Sequence, residues 1–282
     1  MNRRDFLYST LAGGAAIWIA PRRLFAQSEI APSKLSREEI EEFLTTAKVL
    51  KYKESSQGIT RPLEATLSDG HLTHKAQIQM IDESKSQFIG ANGQQELNFR
   101  DTYKFNVAGY LLDKSMDLNM IPVSVNRNFQ GKGAAFTWWV DDVLMTEGDR
   151  VKKKLTAPDL ERWNRQIYIV RVFDQLIYNT DRNLGNLLIT KDWTVWMIDH
   201  GRAFRLMRTL RNPGNLVKCD RKLLDAMRPL TRDTLQKELM PFLTKSEIEG
   251  LLARRDLIVQ FFDKEVAAKG EQAILYDYLP RT

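Results

Sequence analysis

Asn179-Thr180-Asp181-Arg182-Asn183-Leu184-Gly185-Asn186-Leu187-Leu188-Ile189 and, past a Lys191-Asp192 turn, Trp193-Thr194-Val195-Trp196-Met197-Ile198-Asp199-His200-Gly201 are the residues on which the reading of this chain turns. An aspartate and an asparagine five positions apart bracket a tight loop. Two short apolar stretches, read as paired strands, then carry a second aspartate to a glycine. Residues 160–178 read as a helix leading into the loop. Leu187, Leu188, Trp196 and Ile198 would pin the hairpin to a core and hold the polar residues in place. Single Asp and Asn residues are ordinary turn formers. As a set they have a chemistry: Asn186 and Asp199 offer hard oxygen donors for a small divalent cation, and Asp181 on a rigid loop is suited to take a proton from a hydroxyl.

The spacing follows the protein-kinase pattern, in which catalytic Asp and metal-binding Asn stand five apart and a later Asp-Phe-Gly supplies a second ligand. Asp199-His200-Gly201 occupies that later place. The run from Asn179 to Arg182 with Asn186, then Ile198-Asp199-His200-Gly201 and Ala203-Phe204, resembles the atypical kinases: type II phosphatidylinositol 4-kinases and the four-jointed-type secreted kinases, with their bacterial relatives. Upstream, Asn106-Val107-Ala108-Gly109-Tyr110-Leu111-Leu112-Asp113-Lys114 and Leu118-Asn119-Met120-Ile121-Pro122-Val123 are similar to the regulatory helix and next strand of the bacterial relatives. The resemblance covers roughly residues 51–262.

It implies an α+β, two-lobed kinase-like fold, with a strand-rich N-lobe holding one regulatory helix and a helical C-lobe. It also implies Asp181 as catalytic base, Asn186 and Asp199 as ligands to Mg or Mn, Arg182 and Gly201 in support, and ATP or another phosphorylated donor. Gly58, Gln79, Asn106, Trp139 and Val140 would border the nucleotide. The sequence departs from the pattern where such kinases place a phosphate-holding lysine and its partner glutamate. Gln79 and Asn106 stand there, and two amides can hydrogen-bond to each other without leaving a buried charge. Lys75 shares a strand face with Gln79 but lies ~13 Å away along the strand; Lys85 and Lys104 have the reach to swing in. The alternative to a phosphotransferase is a catalytically inactive pseudokinase that binds a nucleotide or a protein.

The expected organisation is a leader over 1–26, a linker and accessory helix over 27–47, an N-lobe over 48–142 and a C-lobe over 143–282. Ser36 with Glu39 forms a capping box for the accessory helix. Strands are expected at 58–60, 63–67, 73–81, 122–126 and 134–140, with turns at Ser68-Asp69-Gly70, Gly90-Ala91-Asn92-Gly93 and Gln130-Gly131-Lys132-Gly133. The regulatory helix is expected over 101–112. Arg202, Arg205, Arg208 and Arg211 recur every three residues and read as a helical face, solvated or facing an acidic substrate. Thr244 and Glu247 form a capping box for the C-terminal helices.

Arg3-Arg4-Asp5-Phe6-Leu7, an apolar run broken by Gly13-Gly14, and a small residue at Ala26 resemble a bacterial twin-arginine signal. Such a signal implies the twin-arginine translocase as export partner, a periplasmic or extracellular location, and no stable membrane span after cleavage. Cys219 is the only cysteine, which excludes an intramolecular disulfide, and three histidines do not suggest structural zinc. The net charge is +6, half of it in the leader. No basic helix with interleaved aromatics suggests a nucleic-acid partner. The substrate is read only as far as a hydroxyl-bearing acceptor.

Overall fold

The computed structural model describes residues 35–55, 62–89, 93 and 95–278. The expected leader, Gly58 with its strand, and Gly90, Ala91 and Asn92 of one expected turn lie outside the described residues. The first helix, α1 (Arg37–Thr46), starts at the Ser36–Glu39 capping box and buries Phe43 and Leu44. Then come β1 (Lys48–Glu54), β2 (Leu63–Ser68) and β3 (Thr73–Gln79), and after a further hairpin and helix β6 (Ser124–Phe129) and β7 (Lys132–Trp138). These five strands form an antiparallel sheet in the order β1-β2-β3-β7-β6. Alternation makes one face of it apolar: Leu63, Ala65 and Leu67 of β2 and Ala76 and Ile78 of β3 are buried. Ala76 stands opposite Trp138 and Ile78 opposite Phe136. Helices α1 and α2 (Lys104–Ser115) both pack against β6 and β7.

Between β3 and α2 the chain forms a hairpin that the sequence pattern does not announce, β4 (Asp82–Ile89) with β5 (Gln95–Thr102). The helix expected from residue 101 therefore starts at Lys104, and Asp101 belongs to a strand. Almost all of β4 is exposed, so no buried period of two marks it as a strand. Tyr103, the residue before α2, makes no side-chain capping bond, so no capping signal marks the helix start.

The remaining chain is mainly helical. It comprises β8 (Val143–Thr146), α3 (Glu147–Lys152), α4 (Leu160–Leu176), β9 (Leu187–Thr190), β10 (Val195–Met197), β11 (Cys219–Asp220), α5 (Arg221–Met227), α6 (Arg232–Leu239), α7 (Lys245–Lys269), α8 (Glu271–Ile274) and β12 (Leu275–Tyr276). Strands β10, β9 and β8 form a small antiparallel sheet, and β11 pairs with β12 in parallel. α7 opens on the expected Thr244–Glu247 capping box and buries Ile248, Leu251, Ile258 and Phe262. These residues belong to the same core as Phe173, Leu176 and Ile177 from the end of α4, and that core runs without a break into the five-stranded sheet. Among the described residues no helix is long and apolar enough to cross a membrane.

The arginine series after Gly201 is not a helical face. Residues 202–212 contain no helix, and Phe204 has φ +53°, which interrupts helical geometry. Arg205 is buried, with 6% of its surface exposed, while Arg208 and Arg211 are exposed.

Candidate active site

The loop between α4 and β9 is organised around Arg182. Its Nε and Nη2 donate to both carboxylate oxygens of Asp174, at 2.9 and 3.1 Å, in the bidentate arrangement that suits a planar guanidinium. Its Nη1 donates to the backbone oxygens of Asn186 (2.8 Å) and Ile198 (2.9 Å). One half-buried side chain thus fixes the loop to the start of β9 and to the strand end that carries Asp199. Asn179 adds a second tie, giving an Nδ2 hydrogen to Asp174 and taking the Asp181 backbone N–H on Oδ1. Sequence reasoning gave Arg182 a supporting part but found neither Asp174, which pairs with it, nor the brace that Asn179 adds to Asp174 and Asp181. Asp174 lies eight residues before Arg182, at the end of a helix, and no spacing rule connects them.

The Asn186 side chain is held by the Asp181 backbone. Asn186 Nδ2 donates to the Asp181 carbonyl at 3.0 Å, which fixes the amide and leaves its oxygen as the end available to a cation. A 3₁₀ turn over Leu184–Asn186 closes the loop, with the Asn183 side chain accepting from Gly185 N–H.

Asp199 sits at φ +56°, a left-handed backbone position that costs a non-glycine residue free energy and persists here through the ties around it. The Ile198 N–H is given to the Asn186 carbonyl (3.1 Å), the Thr102 N–H to the Gly201 carbonyl (3.0 Å), and the His200 N–H to Asn106 Oδ1 (2.7 Å). Through the last two, β5 and α2 both grip the Asp199–Gly201 turn.

His200 is fully buried. Its Nε2 lies 3.0 Å from Arg182 Nη2, and since a guanidinium only donates, Nε2 accepts. Burial first, and the neighbouring Arg182 charge second, hold its pKa well below the ordinary histidine value, so the ring is neutral. It packs against Gly109 of α2, where an added Cβ would stand 3.4 Å from the imidazole carbon.

A further carboxylate, not expected from the sequence, reaches the site from the N-lobe. Asp101 at the end of β5 points at Gly201: a Cβ built on that glycine would lie 2.6 Å from Asp101 Oδ1 and 3.6 Å from Asp199 Oδ1. The two oxygens are therefore within about 6 Å of each other, and only a glycine fits between them. Burial, then the Asp199 charge, push the Asp101 carboxyl up to about 6. Burial, then the Asp181 charge, raise that of Asp199 as well.

Three carboxylates crowded into a half-buried place suit a divalent cation. Among the described residues no three His, Cys, Asp or Glu side chains stand close enough to cage a metal unaided. That accords with magnesium-type binding, in which one or two carboxylates are completed by water and phosphate oxygens.

The other residues expected to border a nucleotide are more scattered. Gln77 and Asn106 line a narrow cleft with Ser124, Thr137 and Asp199. Its volume is about 10 Å³, room for one water molecule. Gln79, on the same strand face as Gln77, is buried at the end of β3 opposite Ala135, and it is Gln77 that faces this cleft. Val140 is buried, and Trp139 lies under the Lys75 ammonium. Each lysine that might have replaced the phosphate-holding one is paired with a carboxylate: Lys75 with Glu64 (2.8 Å), Lys85 with Glu83 (2.8 Å) and Lys104 with Asp82 (2.8 Å).

No protein-family model and no curated protein matches the sequence. Solved structures do. A hydra Fam20 determined with a sugar superimposes with a TM-score of 0.66 at 13% identity, over 88% of this chain and 94% of that one. The Golgi casein kinase gives 0.60 at 12% identity, over 87% and 79%. The same kinase with Mn and ADP bound gives 0.61 at 12%, over 86% and 80%. At such identities the likeness is one of fold, and the antiparallel N-terminal sheet with its helix, the helical C-terminal part and their order together give this chain the α+β kinase-like fold of the Fam20 kinases.

Proposed function

We propose that the chain is an exported phosphotransferase that moves a phosphoryl group from a phosphorylated donor to a hydroxyl acceptor with the help of Mg²⁺ or Mn²⁺. The observation that carries this reading is the arginine-centred loop, in which Arg182 binds the segments of Asp181, Asn186 and Asp199 into one unit. A fold that needed these residues only as turn formers would not require a guanidinium with five hydrogen bonds to fix their register.

Asp199 and the Asn186 amide oxygen would hold the cation, and Asp101 would reach it from the other lobe. When bound, the cation would neutralise charge on the transferring phosphoryl oxygens. Asp181 orients the acceptor hydroxyl and takes its proton, a contribution of ~10²–10⁴ in rate for a well-placed base. The His200 ring stays neutral and takes no proton from the acceptor, because its Nε2 is engaged by Arg182. The backbone N–H of His200, given to Asn106 Oδ1, ties the regulatory helix to the metal-binding turn.

Turnover with Mn²⁺ or Mg²⁺ and a panel of nucleotides and other phosphorylated donors tests the reading. Turnover that falls at least a hundredfold in Asp181→Asn, with unchanged folding, supports it. Absence of turnover with every donor, in wild type and variant alike, refutes it.

A second reading, a non-catalytic kinase-like module, is favoured by two features: the ~10 Å³ cleft and the three lysines committed elsewhere. A chain that binds Mn²⁺ and partner protein but never turns over would belong to this class. Export is read from the Arg3-Arg4 leader. Replacement of both arginines by lysine in the full chain is expected to retain it in the cytoplasm, and secretion undiminished by that change would remove the twin-arginine route.

A further inference from the structure

A second cavity, of about 500 Å³, lies away from the metal-binding turn, between the β4–β5 hairpin, the start of α2, the segment after Gly201 and the N-terminus of α7. Its size is that of a small-molecule site, and its walls are of two kinds. Lys85, Arg100 and Arg205 bring three cations, while hydroxyls of both the hairpin and the α7 N-terminus line the rest of the polar side. Phe105 and Phe204, with ring centroids 5.5 Å apart, form an apolar wall.

We propose that this cavity binds a small organic phosphate, its phosphate toward Lys85, Arg100 and Arg205 and its organic body against Phe105 and Phe204. Lys85 is held by Glu83 at the rim (2.8 Å), an exposed pair that a phosphate can displace, and among the described residues the one carboxylate on the wall is engaged too: Glu247 pairs with Arg100 and accepts from the Thr244 N–H (2.7 Å) and hydroxyl (2.9 Å) on its other oxygen. It does not consume all the positive charge. Arg205 is 94% withdrawn from solvent by the 6% exposure of its surface, and although its Nη1 donates to the Arg100 carbonyl and its Nη2 lies 2.6 Å from Glu96, its buried Nε has no hydrogen-bond partner. Its charge is therefore only partly offset by its hydrogen bonds, and an anion in the adjoining cavity would offset the rest. The positive end of the 25-residue helix α7 faces the same space through Ser246. The Arg100 guanidinium lies over the Phe105 ring, 4.8 Å from its centroid, so the cationic and aromatic walls adjoin, which favours an anion with an organic body over a bare one.

The site is independent of the phosphotransfer reading and takes a different ligand from the cation at Asp199. Its occupant would touch Arg100, which precedes Asp101, and Phe204 and Arg205, which follow Gly201.

Thermal unfolding of the full chain, with glucose 6-phosphate, adenosine 5′-monophosphate or inorganic phosphate as probe, decides the matter. The variants are Lys85→Glu at the rim, Ser86→Trp to fill the cavity, and Asp199→Ala in the other site. The proposal expects at least one organic phosphate to raise Tm by roughly 5 °C or more at a hundredfold excess over Kd. The rise should persist in Asp199→Ala and be lost in Lys85→Glu, with affinity down at least tenfold. Ser86→Trp should also abolish it, and if that variant does not fold, the exposed Lys85 change carries the test alone. No shift with either organic probe overturns the proposal. So does a shift that survives Lys85→Glu, one that vanishes only in Asp199→Ala, or equal binding of inorganic phosphate alone.

Discussion

Replacing Asp101 by asparagine should make the protein more stable and its cation site weaker. The Asp101 carboxyl is pushed from an ordinary value near 3.8 to about 6, by burial first and by Asp199 second. At ~1.4 kcal/mol per pH unit this is about 3 kcal/mol of native-state penalty once the group is ionised. Solvent entering the site screens part of it, leaving ~1–2 kcal/mol. The sign follows from proton linkage. Between about pH 4 and pH 6 the native state holds a proton that the unfolded chain has released, so this group makes stability fall as pH rises through that window. Asp101→Asn removes the charge at every pH. Urea unfolding in EDTA should therefore show the variant more stable by ~1–2 kcal/mol at pH 7.5, with the gain shrinking toward zero near pH 4. With saturating Mn²⁺ the order is expected to narrow or reverse, because wild type gains from the cation a ligand that the variant has lost. A gain that does not vary with pH, or a variant less stable than wild type at pH 7.5 without metal, would refute the reasoning.

Gly201→Ala places a methyl group 2.6 Å from Asp101 Oδ1. It should cost ~1–3 kcal/mol in denaturant unfolding and weaken Mn²⁺ binding, the stability loss easing in the Asp101→Ala background, where the crowding side chain is gone. Arg182→Met leaves Asp174 half-buried without its partner and should cost ~3–5 kcal/mol; Asp174→Asn added to it should recover part of that loss. His200, held neutral by burial, contributes the opposite slope to that of Asp101. With its folded pKa depressed, its contribution is fully present above pH 6.5 and is lost as pH falls below 6.5, at up to ~1.4 kcal/mol per pH unit. Because Asp113 and Asp199 also titrate upward and slope the other way, the difference in stability between wild type and His200→Gln isolates that slope, and a difference that stays constant from pH 6.5 to 5 would contradict it.

The loop proposed to carry the chemistry was legible as a unit because its spacing is local. Asp181, Asn186 and Asp199 fall within twenty residues, and their flanking strands carry enough apolar side chains to be read by eye. The same held for the capping boxes of α1 and α7, since a cap is a contact between residues three apart. What remained hidden was whatever depends on contacts distant in sequence or on surfaces without a pattern. The β4–β5 hairpin is exposed over most of its length and pairs its backbone with itself, so its side chains carry no alternation. Asp101 was consequently read as the first residue of a helix. Its part in the site follows from a contact with Gly201, a hundred residues away, that no local rule predicts. The arginine series misled for a related reason. A three-residue spacing suggests a helix, but the positive φ of Phe204 and the burial of Arg205 are set by packing against Phe99 and α7.

In kinases a lysine on the third strand and a glutamate on the regulatory helix do two jobs, holding the phosphates and coupling the helix to the metal-binding turn. Here the second job is done without either. The backbone N–H of His200 to Asn106 and that of Thr102 to Gly201 are neutral bonds that join α2 and β5 to the Asp199 turn through the protein itself. Only the first job, charge on the phosphates, is left open by the amides of Gln77 and Gln79. On the proposed reading it passes to the cation, because Asp101 adds an N-lobe carboxylate to those of the C-lobe. A kinase whose donor is gripped by metal alone should show a steeper dependence of donor KM on Mn²⁺ concentration than of kcat. A lysine introduced at the residue that faces the cleft, as Gln77→Lys, should lower that KM and flatten the dependence. If instead Gln77→Lys leaves donor affinity unchanged while Mn²⁺ still binds at Asp199, the amide face of β3 does not meet a phosphate at all, and the non-catalytic reading gains the argument.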